Sequence, residues 1–147
     1  MLLLTQQEAD DLIAMEKVCE SDDTFHFPFQ GASLEIPLVS TDKKENFLLD
    51  IYRGRINIKK VTYQNRAHKS VILLRVDIEG APHENPDGVV IPCPHIHFYR
   101  EDFGDKWAEA LNGSNHGFTK LNNLVTIWDE FLNCINVTKR PKLELSL

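Results

Sequence analysis

The sequence predicts an α+β domain: an N-terminal helix, a mainly antiparallel sheet of about six strands, and a C-terminal amphipathic helix packed on one face of the sheet. Three observations predict it. A helix-start signal opens the chain, apolar residues then alternate with a period of two, and near the end they switch to a 3.6-residue period. With 147 residues the chain can bury a core without disulfide or metal staples, and a single globular domain over 1–147 is expected.

Thr5-Gln6-Gln7-Glu8 matches a capping box, in which the threonine accepts from a backbone N–H and the glutamate reaches back. Ala9, Leu12, Ile13 and Cys19 continue an apolar stripe, so a helix is expected over about 5–20, ended by Ser21-Asp22-Asp23. Alternation follows at Phe25, Phe27, Phe29, at Leu34, Ile36, Leu38, and at Phe47, Leu49, Ile51. Arg53-Gly54-Arg55 reads as a turn, Ile56 and Ile58 as the start of the return strand, and Lys59-Lys60 as a bulge before Val61 and Tyr63. From Val71 to Glu79, Ile72, Leu74, Val76 and Ile78 face one way, and Arg75, Asp77 and Glu79 the other. Residues 80–94 hold many turn formers and read as a long loop, and 95–100 return as a strand. Asp105-Lys106-Trp107-Ala108 reads as a short helix start. From Thr119, Leu121, Leu124, Val125, Trp128, Leu132 and Ile135 mark the last helix, and Leu143 and Leu145 an edge strand.

Composition narrows the function. Hydrophobic content of 42% and charge of 26% are ordinary for a soluble protein, and no window suits a membrane span. The opening Met1-Leu2-Leu3-Leu4 is too short for a signal-peptide core, and three scattered cysteines argue against a disulfide framework. A cytoplasmic location is expected. Net charge is −6, yet from Ile51 to Val76 seven basic residues occur with no acid: Arg53, Arg55, Lys59, Lys60, Arg66, Lys69 and Arg75. Such asymmetry points to a local anion-facing surface on an acidic body, or more plainly to lysines guarding exposed strand edges.

The densest cluster of chemistry is Pro92-Cys93-Pro94-His95-Ile96-His97-Phe98-Tyr99. Residues two apart on a strand share a face, so His95, His97 and Tyr99 point together. If this strand pairs with 71–79, Asp77 and Arg75 join them, and the loop adds His83. Two chemistries fit. In metal-free acid–base cleavage of RNA, His95 and His97 move protons, Tyr99 and His83 assist, Asp77 orients an imidazole, and Arg53, Arg55, Arg66, Arg75, Lys59 and Lys60 hold phosphate. No cofactor is then needed. In the alternative, one transition metal sits on His95, His97, His83 and Glu101, with Asp77 or Cys93 as further candidates. A histidine pair on a strand also serves packing or partner contact with no chemistry at all.

The spacing His95-x-His97-x-x-x-Glu101 resembles the first motif of the cupins, which implies a small β-barrel holding iron, manganese or zinc. A broader likeness runs through Leu4-Thr5-Gln6-x-Glu8-Ala9-Asp10, Arg53-Gly54-Arg55-Ile56-Asn57, Thr62-Tyr63-Gln64-x-Arg66, Pro82-His83-x-Asn85-Pro86-Asp87-Gly88, the histidine strand and Asp105-Lys106-Trp107-Ala108. These segments, in this order, resemble an uncharacterised family of small bacterial and prophage proteins. The resemblance implies a mobile-element setting, where toxins and anti-defence proteins are frequent. The leading expectation is therefore a toxin-like or mobile-element endoribonuclease, with RNA or another nucleic-acid complex as partner and an antitoxin-like protein partner besides. The runner-up is a non-enzymatic prophage protein that blocks a host defence machine, and a cupin-like metal-binding domain comes third.

Overall fold

Thr5 starts the first helix as its sequence requires. In the computed structural model, which describes residues 4–145, its side chain accepts from the Glu8 N–H at 3.1 Å, and the Glu8 carboxylate accepts from the Thr5 N–H at 3.0 Å. Met1 to Leu3 of the opening run, and residues 146–147, lie outside the described residues. In chain order the elements are α1 (Gln6–Ala14), β1 (Lys17–Val18), β2 (Thr24–His26), β3 (Ser33–Ser40), β4 (Asn46–Arg53), β5 (Val61–Ala67), β6 (Val71–Asp77), β7 (His83–Glu84), β8 (Val90–Ile91), β9 (His95–Phe98), β10 (Ala108–Ala110), α2 (Leu124–Cys134), β11 (Val137–Lys139) and β12 (Lys142–Glu144).

Among the described residues the main sheet has eight strands, in the order β10-β9-β6-β5-β4-β3-β1-β11, rather than about six. The added strands, β1, β10 and β11, are only two or three residues long, too short for a periodicity to reveal. All neighbours are antiparallel except β1 and β11. β12 pairs with β2, as Leu143 leads one to expect, and β7 with β8. The sheet is open, with β10 and β11 at its edges, so it is not the closed barrel of the cupins.

One face of the sheet is the core. Ile36, Leu49, Ile51, Tyr63, Val76 and Ile96 are fully buried there. Both helices contribute to that core, α1 through Ala9 and Leu12 and α2 through Ile127, Trp128, Phe131 and Leu132. The Tyr63 ring meets Trp128 edge-on at 5.0 Å, and its hydroxyl donates to the Leu124 carbonyl at 3.0 Å.

α1 stops at Ala14 instead of running to about 20. Lys17 turns inward and donates to the carbonyls of Ile13, Met15 and Ile135 at 2.9, 2.9 and 2.7 Å, which satisfies helix-end oxygens that Cys19 at helical spacing would have left to α1 itself. Burial pushes the Lys17 ammonium down to about 7, and the Phe47 ring 4.6 Å away helps to hold its charge. α2 begins at Leu124 under an Asn123 cap instead of at Thr119, whose hydroxyl is spent on Glu130.

Three other expectations are corrected. Residues 54–60 are a loop and β5 starts at Val61, so Ile56 and Ile58 are not strand residues and Lys59-Lys60 are not a bulge. The bulge lies in β6: Asn65 pairs with Leu74 and Arg66 with Ile72, so Leu73 is the extra residue. Ile72 is therefore turned away from the core, while Val71 and Leu73 are buried in it. Residues 105–107 form no helix; Ala108–Ala110 pair with β9, because edge pairing satisfies their backbone where a three-residue helix would not. Within 80–94, Asn85-Pro86-Asp87-Gly88 closes the β7–β8 hairpin, with Gly88 at φ 88°.

Lys17→Met removes three donors from buried carbonyls. It is expected to cost ~2–4 kcal/mol in urea unfolding at pH 7, and an unchanged midpoint would show that the joint between the two helix ends does not depend on that ammonium.

Candidate functional site

The register of the sheet assembles the polar face. Glu35 pairs with Asp50, Asp50 with Gln64, Gln64 with Arg75, and Arg75 with His97. One row along, Tyr52 pairs with Thr62, Thr62 with Asp77, and Asp77 with His95. β6 and β9 are thus direct neighbours, and the four groups Arg75, Asp77, His95 and His97 lie side by side.

The β7–β8 hairpin covers them. Asn85 clamps it to the edge strand, donating to the Ala108 carbonyl at 3.0 Å and accepting from the Ala108 N–H at 2.8 Å. His83 then sits edge-on over His97 with ring centroids 4.6 Å apart, and 6.0 Å from His95. Under this cover His95 is 2% and His97 0% exposed.

Each buried imidazole has one nitrogen committed to the backbone. His97 Nδ1 lies 2.7 Å from the Asp105 carbonyl and His95 Nδ1 3.3 Å from that of Pro92. A carbonyl only accepts, so these nitrogens carry protons and donate. The two Nε2 atoms converge on one carboxylate oxygen, Asp77 Oδ2, at 3.0 Å for His95 and 3.2 Å for His97. All three donor atoms lie within 4.8 Å of one another. Two neutral imidazoles would present lone pairs to a carboxylate, an arrangement that demands positive charge among them. Arg75 supplies some of it, donating from Nε to Asp77 Oδ2 at 3.1 Å and from Nη2 to His97 Nε2 at 3.0 Å, while Nη1 holds Asp105 at 3.0 Å. Burial by itself would raise the Asp77 carboxyl. The Arg75 charge and the Thr62 hydroxyl, donating at 2.6 Å, work against it, as does either imidazole when its Nε2 carries a proton, and together they hold Asp77 well below the usual carboxylate range.

Beside these donors opens a cleft of about 310 Å³ bordered by Lys60, Thr62, Arg75, Glu79, His83 and Cys93. Cys93 Sγ is 3.6 Å from His95 Nδ1, but burial and Asp77 push its thiol upward, which disfavours the nucleophilic thiolate. A larger cavity of about 500 Å³ lies between α1 and the β9–β10 edge, bordered by Gln6, Asp10 and Trp107, and touches neither His95 nor His97.

The remaining sequence candidates are dispersed. Tyr99 does not share the histidines' surface: its buried hydroxyl accepts from the Leu4 N–H at 2.9 Å and donates to the Leu4 carbonyl at 2.7 Å. Glu101 accepts from the Gln6 N–H at 2.7 Å, so both residues dock the N-terminus. Arg66 is on the polar face but is held by Asp50 at 2.6 and 2.8 Å and by Glu35 at 3.0 Å. Arg53 braces the 54–60 loop through the Ile58 carbonyl at 3.1 Å. Arg55 and Lys59 stand exposed on that loop, and Lys60 reaches the cleft rim. Sequence reasoning missed Thr62, Asn85 and Asp105. The turn formers around Asn85 read only as a long loop and do not reveal its clamp; nothing local marks the other two, which matter through register and a backbone carbonyl.

A family model described as a family of unknown function (DUF6978) matches residues 4–137. No curated protein and no solved structure matches the chain.

Arg66→Ala leaves Asp50 buried with Gln64 alone at 2.9 Å. The expected loss is ~3 kcal/mol of stability, and Arg66→Ala/Asp50→Leu should recover most of it. A stable Arg66→Ala with a specific loss of anion binding would instead return Arg66 to the phosphate-holding set.

Proposed function

The chain belongs to this family of unknown function, and we propose that it is an endoribonuclease of the toxin-like or mobile-element kind whose chemistry is centred on one transition metal held by Asp77, His95 and His97. The observation that carries this reading is the convergence of two Nε2 atoms on Asp77 Oδ2 while both Nδ1 atoms donate to backbone carbonyls. Metal-binding histidines are oriented in just that way by their second nitrogen. Donor separations of 3.0 and 3.2 Å also match the edges of a shell whose ligands stand ~2.1 Å from a metal. Two imidazoles and a carboxylate suit zinc, manganese or iron(II). His83 and Glu101, considered from sequence as further ligands, fall outside this set.

When bound, the metal lowers the pKa of a water and neutralises charge on the phosphoryl group. The chain's own residues do the rest. Arg75 gives up its place at the donor atoms and, still tied to Asp105, faces the phosphate together with Lys60. His83 Nε2 is 2.7 Å from the Lys106 carbonyl and donates to it, which leaves Nδ1 to accept a proton at the cleft wall. The hairpin excludes water from the buried side of the site.

A second reading is favoured by Arg75 itself, whose guanidinium already supplies a cation at the donor atoms. In that case cleavage is metal-free, with the Asp77–His95 pair and His83 moving protons.

Elemental analysis of wild type beside His97→Gln and Asp77→Asn is the test, run with cleavage of single-stranded RNA. The expected result is about one equivalent of transition metal in wild type only, with cleavage abolished by chelator and restored by metal. Cleavage that persists in chelator moves the chemistry to the second reading. Metal without cleavage leaves a metal-binding domain, and neither leaves a non-enzymatic interaction protein.

A further inference from the structure

At the end of β4 and β5 that adjoins the cleft, residues 28–31 and the 54–60 loop pack into one tip. The packing is specific. The Gly54 N–H donates to the Lys60 carbonyl at 2.7 Å, the Gly31 N–H to the Gly54 carbonyl at 3.2 Å, and the Gln30 side chain to the Arg55 carbonyl. A Cβ on Gly54 would lie 2.4 Å from the Asn57 carbonyl oxygen, so only glycine closes this loop. The braced tip holds apolar side chains out in water: Ile56 is 96% and Phe29 81% exposed. Around them stand Arg55, Lys59 and Lys60, all exposed, and neither loop contains an acid. Lys60 belongs to both tip and cleft, its side chain lying 3.1 Å from where a Gly80 Cβ would be.

We propose that this tip is the binding surface for a single-stranded RNA, which stacks a base on Phe29, wedges Ile56 beside the next, and follows Arg55, Lys59 and Lys60 into the cleft. The inference rests on the ribonuclease reading of that cleft. An aromatic face amid cations is the device by which proteins hold single strands, and aliphatic wedges separate stacked bases. A chain with net charge −6 repels a polyanion over most of its surface, which leaves this acid-free tip as the place of attraction. Continuity through Lys60 favours a strand that runs from the tip to the Asp77–His95–His97 donors over an isolated protein contact.

The test is fluorescence anisotropy with a labelled 12-nucleotide 2′-O-methyl oligouridylate, against wild type, Phe29→Ala, Lys59→Glu/Lys60→Glu, and Lys43→Glu/Lys44→Glu. The last pair makes the same charge change in the β3–β4 turn, at the opposite end of those strands. All the altered residues are exposed, so each variant should keep the wild-type melting temperature. Expected are a roughly tenfold weaker affinity for Phe29→Ala, a larger loss for the tip lysine pair, and a change within about twofold for the turn pair. A duplex of the same length should bind at least tenfold more weakly. Equal losses for both lysine pairs, an unaffected Phe29→Ala, preference for the duplex, or no binding at all would overturn the proposal. RNA cleaved at the wild-type rate by Phe29→Ala, which lies outside the cleft, would sink this inference alone, whereas tip-dependent binding without cleavage would sink the ribonuclease reading alone.

Discussion

The Asp77 cluster depends on one extra residue in β6. A strand turns successive side chains to opposite faces, so Val71, Leu73, Arg75 and Asp77 would share one face of an unbroken strand. Val71 and Leu73 are buried in the core, and Arg75 and Asp77 lie on the opposite side. The bulge at Leu73 resolves that conflict by shifting the phase halfway along. Without it, either a carboxylate and a guanidinium would enter the core, at several kcal/mol each, or two large apolar residues would leave it. Because β9 pairs with the C-terminal half of β6, the same phase shift places Asp77 and Arg75 opposite His95 and His97.

Two charged centres share this face, and they are solved differently. Asp50 is closed: Arg66 meets both its oxygens, Gln64 adds a third bond, and Glu35 occupies the remaining side of the guanidinium. That centre is satisfied internally and offers nothing to a ligand. Asp77 is left open to chemistry. Its neighbours include two imidazoles whose protons are committed to backbone carbonyls, so two lone pairs and a carboxylate face one another around a cation. The hairpin over them lowers the local dielectric and strengthens that demand. Burial of His95 and His97 is thus a consequence of Asn85, which fixes the hairpin to β10 through both backbone groups of Ala108.

The basic stretch from 51 to 76 does not act as one surface. Arg66 and Arg75 are consumed by carboxylates and Arg53 by loop carbonyls, and the residues that face solvent are Arg55, Lys59 and Lys60 in the 54–60 loop and Lys69 in the β5–β6 turn at the other end of the strands. Charge counted along a chain overstates the charge presented to a partner, because strands of opposite sign pair and neutralise it.

Much of the fold was legible in local chemistry. The capping box at Thr5, the alternation through Phe47, Leu49 and Ile51, and the helical stripe through Leu124, Trp128 and Leu132 each encode their own backbone geometry. Residues two apart on a strand share a face, so His95 and His97 were bound to point together. Tyr99 escaped that rule because β9 ends at Phe98 and its hydroxyl meets the N-terminus 95 residues away. What only the tertiary structure decided are the bulge at Leu73, the short edge strands, and the pairing that sets Asp77 against both imidazoles. The physical reason is range. Caps and periodicities act within a turn of helix or a few residues of strand, whereas strand register and the partners of buried polar groups are settled only when distant segments compete for the same hydrogen bonds.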